Sequence, residues 1–150
     1  MATALPIAVL RFVPPLTTAF MLAHKWPLAR GGDACDDILY EWVPRRAIGK
    51  NVFRAVIAAE DQRFAMHHGF DFGAIGDAIE ELDAKGHSRG ASTISQQVAK
   101  NVFLWPGRSF VRNGLEAWLT IWIEALWPKH RILEVYVNVA QFGRCTFGVG

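Results

Sequence analysis

Three places along this chain set ionisable groups inside what would otherwise be apolar helix faces. Phe53, Ile57, Glu60, Phe64 and His67 recur at spacings of four and three, so a helix carrying them puts a carboxylate and an imidazole in a hydrophobic stripe. Burial disfavours the charged form of a carboxyl and raises its pKa, which suits a group that takes a proton in one step and releases it later. Glu60 is therefore a candidate general base. The plainer reading pairs it with Arg63 or leaves it at the wet edge of the stripe. His67 is in the same way either a site residue or a satisfied core or capping histidine.

The second place is the run from Gly90 to Asn101. Thr93 and Gln96 stand at capping-box spacing, with Ser92 as an alternative cap. Exposed N–H groups at such a helix start attract phosphate, and Thr93, Gln97 and Lys100 at i, i+4 and i+7 would extend a polar surface along one face. Without them the segment reads as an ordinary amphipathic helix with Ile94 and Val98 buried. The third place is Arg112, Glu116, Leu119, Ile123 and Leu126, where an i, i+4 ion pair enters a stripe of large hydrophobes. On a wet surface such a pair contributes only a few tenths of a kcal/mol, about 0.2–0.5, so stability explains it weakly and a bound phosphate explains it better.

The elements that must position these groups are helical. Apolar residues recur at three and four over 50–66, 71–85, 92–104, 109–127 and 129–140, and no strand is evident. Gly69, Gly86 and Gly90 punctuate the first half, Pro106 and Gly107 stop one helix, and Pro128 opens the last. The last helix opposes Lys129, Arg131, Glu134 and Asn138 to Ile132, Val135, Tyr136 and Val139, which is ordinary amphipathicity. Residues 27–46, with Pro27, Gly31, Gly32 and Pro44, read as a linker. The stretch from Ala2 to Ala23 is almost wholly apolar but broken by Pro6, Arg11, Pro14 and Pro15. It reads as the tail of a spanning helix followed by an interfacial segment, Phe12 to Leu22, or else as a greasy element packed on the core. Residues 141–150 read as a Gly-studded loop that closes nothing, so the fold looks C-terminally truncated.

Composition narrows the partners. With 150 residues there is enough chain for one domain with its own core. Half of it (51%) is apolar and six residues are Trp, which points to apolar surface turned to a membrane or a partner. The net charge of +2 does not make the clustered basic face that nucleic acid requires. Cys35 and Cys145 lie far apart, with no CxxC and no histidine at zinc-ligand spacing, and read as free thiols rather than a metal site, a single bridge being the other option.

Taken together, these segments resemble the peptidoglycan glycosyltransferases, both the monofunctional biosynthetic transglycosylases and the matching domain of bifunctional penicillin-binding proteins. Four motifs of that family occur in order over about 43–150. The first is Glu60, Asp61, Phe64, His67 and Gly69, and the second Gly90, Ser92, Thr93, Gln96, Gln97, Lys100 and Asn101. The third is Arg112 with Glu116, and the last Arg131, Glu134, Tyr136 and Asn138. The run from Phe12 to Leu22 is similar to the juxtamembrane entry of the monofunctional branch. Two positions depart from the pattern: Asn113 stands where a lysine usually follows the arginine, and Gln141 where many relatives are acidic.

The resemblance implies a mainly α fold, a lysozyme-like helical lobe with a smaller hydrophobic jaw, here incomplete at its C-terminus. It further implies three parts: a membrane or juxtamembrane segment at 1–26, a linker at 27–46 and the glycosyltransferase domain at 47–150. The implied substrates are lipid II and the growing glycan chain, polymerised at the outer face of the inner (cytoplasmic) membrane, on the periplasmic side, alone or in a cell-wall synthesis complex. Glu60 would deprotonate the acceptor 4-hydroxyl for an inverting attack. Lys100 and Arg112, with Glu116 and with or without a divalent cation (magnesium or manganese), would stabilise the departing pyrophosphate. Asp61, Phe64, His67, Thr93, Gln97 and Asn101 would line and orient the site, Asp61 alternatively supporting a helix start. Two other functions remain open: a non-catalytic membrane-bound scaffold that keeps the motifs, and a glycan cleaver, which would need a protonated acid but no pyrophosphate cations.

Overall fold

The computed structural model describes residues 3–26, 35–85, 90–107 and 109–150. The outer part of the expected linker (27–34) and the punctuating Gly86 lie outside them. Seven α-helices carry the described fold: α1 (Ala4–Leu10), α2 (Ala19–Lys25), α3 (Lys50–Glu60), α4 (Phe72–Lys85), α5 (Ile94–Phe103), α6 (Phe110–Leu126) and α7 (Lys129–Val139). The chain is mostly helical, as its periodicity predicts. The core forms where α5 meets α6 and α7, with α2 on the other flank of α5. Ile94, Val98, Ile123, Ile132, Val135 and Val137 are all sealed from solvent there.

Four of the helix starts have a chemical reason. Thr18 accepts from Met21 N to cap α2, Ser109 accepts from Arg112 N to cap α6, and Thr93 with Gln96 completes the expected capping box on α5. Pro128 opens α7 without a side-chain cap, its missing N–H being one of the helix's orphan donors in any case.

Several expectations change. The first helix does not run to residue 66: it ends at Glu60, because Asp61 leaves helical geometry (φ −160°, ψ 79°) and lends its carboxylate to another helix. Two strands exist, β1 (Leu39–Tyr40) and β2 (Thr146–Phe147), paired in parallel with Leu39 opposite Thr146. At two residues each they are too short to show a period. The C-terminal stretch therefore does close part of the fold, with Phe147 buried and Gly148 held against Asn138 at φ +80°, where an added Cβ would collide with the Asn138 backbone. Cys35 and Cys145 are not free thiols but a disulfide, formed as these strands bring residues 110 apart to a Cα separation of 5.8 Å.

Nor is the inner part of the linker detached. Asn138, fully buried, accepts from Val43 N and donates to Val43 O, clamping that segment as a strand partner would. At the N-terminus, α1 packs on α6 with Ile7 buried, and the Trp127 indole donates to Ile7 O at 2.6 Å. Met21 is buried as well, whereas Phe12 and Leu16 stay exposed, so the expected interfacial segment is split between core and solvent. Among the described residues no helix is long and apolar enough to cross a membrane.

Candidate active site

Glu60 is the last residue of α3 and stands on the rim of a cleft of about 350 Å³. The cleft is walled by the end of α3, by Asp71, Ala74 and Asp77 of α4 and its entry, and by Gly90 to Thr93 ahead of α5. The expected burial of Glu60 is not found: because α3 stops there, the side chain is exposed rather than carried into a stripe with Phe64 and His67. Nor does it pair with Arg63, whose guanidinium goes to Asp71 and Asp77 across the cleft. Its partner comes from α5: Gln97 Nε2 donates to Glu60 Oε2 at 2.9 Å. Tyr136 of α7 donates its hydroxyl to Gln97 Oε1 at 3.3 Å. Burial and the nearby Glu60 carboxylate push the Tyr136 hydroxyl up to about 12, so it remains a donor at neutral pH.

Behind Glu60 lies a buried knot made of four other expected site residues. Asp61 accepts from Ile94 N at 3.0 Å, satisfying an orphan donor at the start of α5, and from His67 Nε2 at 2.9 Å. Thr93 donates to Gly69 O at 2.6 Å while capping α5. Gly69 must be glycine, since its φ is +91° and an added Cβ would fall 2.8 Å from Thr120 Cγ2. Phe64 is a core residue with the Lys129 ammonium 4.4 Å from its ring centroid. Asp61, Phe64, His67 and Thr93 thus join the turn after α3 to the start of α5. They hold Glu60 in place from the interior instead of lining the cleft with free polar groups, although Asp61 and Thr93 reach its wall.

Lys100 lies one turn beyond Gln97 on α5, half-buried, and makes no ion pair among the described residues. Asn101 beside it is buried. On α6, Arg112 is 7% exposed and pairs with Glu116 at 3.2 Å, while its Nη2 donates to Asn113 Oδ1. The departure at position 113 therefore gives the guanidinium an amide neighbour in place of a second cation. Arg112 Nε is buried with no hydrogen-bond acceptor, while buried Nη1 faces Glu116 Oε2 at 3.2 Å without hydrogen-bond geometry. A buried donor left open is costly, about 1–3 kcal/mol, so the arrangement favours an anion that would fill it. No hydrogen bond or ion pair links this pair to Glu60 or Lys100 among the described residues; α5 packed on α6 is what connects them.

The sequence pattern passed over Tyr136 as one more apolar-face residue. The signal that could have found it is its register on α7, one position past Val135 and facing the helix that carries Gln97. Among the described residues no three His, Cys, Asp or Glu side chains converge. Glu116 is a single carboxylate already paired with Arg112, so the described residues do not fit a protein-held magnesium or manganese cage.

The model of the family described as transglycosylase matches residues 33–150. The biosynthetic peptidoglycan transglycosylase of Stutzerimonas stutzeri (strain A1501) is 52% identical over 146 residues, covering 97% of this chain and 60% of the relative. Those of Xylella fastidiosa (strain M12) and Xanthomonas axonopodis pv. citri (strain 306) are 50% and 51% identical, each over 98% of this chain and 60% of the relative. The chain spans about 60% of the length of the curated relatives it matches. It belongs to the transglycosylase family.

Proposed function

From that membership we propose that this protein is a peptidoglycan glycosyltransferase that polymerises lipid II into glycan strands. The observation that carries the reading is a carboxylate fixed at a cleft rim, on a scaffold that also holds a buried guanidinium whose Nε has no acceptor. Glu60 takes the proton from the acceptor's 4-hydroxyl as that oxygen attacks the anomeric carbon of the growing chain. The new C–O bond forms with inversion as the bond to the lipid pyrophosphate breaks. A pyrophosphate leaves with its charge and needs cations more than a proton, and Lys100 and Arg112 supply them, with Glu116 orienting Arg112. Exposure of Glu60 serves this reaction, because the acceptor sugar must reach the base from outside.

The same reading places the protein on the outer face of the inner membrane. It rests on the exposed apolar side chains of Leu5, Val9, Phe12 and Leu16 at and after α1 and of Phe110, Val111 and Trp118 on α6, the helix against which α1 packs. In lipid II polymerisation assays in detergent, Glu60→Gln is expected to lower the rate at least about a hundredfold. Polymerisation at the wild-type rate by that variant would remove Glu60 from the mechanism, and shortening of preformed glycan by the native protein would replace synthesis with cleavage.

A further inference from the structure

Glu60 ends its own helix, and nothing on α3 restrains its carboxylate: the next residue is already non-helical and its side chain faces the interior. Orientation must come from elsewhere: among the described residues the Gln97 amide donates to the carboxylate, and the Tyr136 hydroxyl lies close enough to feel its charge. Gln97 itself is half-buried on α5, and a glutamine amide has two orientations of nearly identical shape, one of which would turn its oxygen towards the carboxylate. What distinguishes them is the group on the other side of the amide. Tyr136 is buried on α7 between sealed neighbours, Ile132, Val135 and Val139, and its hydroxyl meets Gln97 Oε1. The rigid end of the three-residue chain is therefore the tyrosine and the mobile end is the base.

We propose that Tyr136 is a positioning residue for the transferase reaction, aligning the Glu60 carboxylate through the Gln97 amide. The proposal rests on the reading of Glu60 as the base. Without the hydroxyl, Gln97 Oε1 loses its fixed donor, the amide swings or inverts, and the carboxylate spends less time aimed at the acceptor oxygen. Substrate affinity should be untouched, because neither Tyr136 nor Gln97 is assigned to the pyrophosphate, and the loss should fall on kcat.

The test combines steady-state kinetics on lipid II with the side-chain amide resonances of Gln97, assigned by their loss in Gln97→Met. Tyr136→Phe is expected to lower kcat about tenfold, to leave KM within about twofold and to shift both Gln97 amide protons. Gln97→Met should give a similar kcat loss, and the double variant no further loss, since both break one chain. Wild-type kcat in Tyr136→Phe, a rise in KM with kcat intact, full additivity in the double variant, or unmoved Gln97 resonances would each overturn the proposal. Should Tyr136→Phe fail to fold, wild-type kcat in Gln97→Met would overturn it equally. Its failure is separable from failure of the reading beneath it. An active Glu60→Gln removes the base, whereas an inactive Glu60→Gln beside a fully active Tyr136→Phe keeps the base and discards the positioning.

Discussion

Two arginine–glutamate pairs occupy neighbouring helices and differ in one respect. Arg112 with Glu116 on α6 and Arg131 with Glu134 on α7 each bury an arginine to 7% exposure beside a carboxylate one turn away. Arg131 is closed. Its Nε and Nη2 donate to Leu10 O, Nη2 also to Val13 O and Nη1 to Glu134, while the other oxygen of Glu134 accepts from Arg45 N. Trp42 covers the guanidinium at 5.1 Å. Every donor is thus turned on the chain, and the pair ties the end of α1 and the entry to α3 onto α7. Arg112 keeps its buried Nε without an acceptor, and its Nη1 meets Glu116 only as an ion pair outside hydrogen-bond geometry. The same pair of residue types is a closed clasp in one helix and is left partly unsatisfied in the other, and hydrogen-bond satisfaction, not burial or charge, tells them apart.

The comparison can be broken by truncating each arginine. Arg131→Ala should cost about 3–5 kcal/mol of unfolding free energy, since it strands a largely buried carboxylate and two backbone acceptors, and urea denaturation would show it. A loss under about 1 kcal/mol would mean the clasp is ornamental. Arg112→Met should leave the denaturation midpoint nearly unchanged while lowering polymerisation about 10²–10³-fold. It should also abolish thermal stabilisation by inorganic pyrophosphate. Equal activity and lost stability there would place Arg112 with Arg131 as structure. The smallest effect is expected at Glu116→Gln, which keeps an amide oxygen beside the buried guanidinium and should cost about 1 kcal/mol of stability, read in the same denaturation experiment.

Those arginines also mark how far the sequence could be read. Helix-forming periodicity and caps are local, so α4, α5, α6 and α7 fall close to where spacing puts them, and the Thr93–Gln96 box was visible as written. The end of α3 was not, because it is decided by a bond from Ile94 N to Asp61, 33 residues away, which competes with continuation of the helix. Both the stripe and the first motif point to Glu60, but its burial would require a helix that continues past it, and α3 stops there. The fourth motif offers no local sign that Arg131 and Asn138 are fasteners, since their partners are backbone groups at residues 10, 13 and 43. The cysteine pairing likewise depends on two strands of two residues, below the length at which alternation can be recognised.

The bond between Cys35 and Cys145 closes the chain between those two residues into a covalent ring. Both the cleft and the two arginine pairs lie inside that ring. A protease cut in any exposed turn within it would leave the two pieces tethered, so the nicked molecule could reassemble as a unimolecular event, independent of its own concentration.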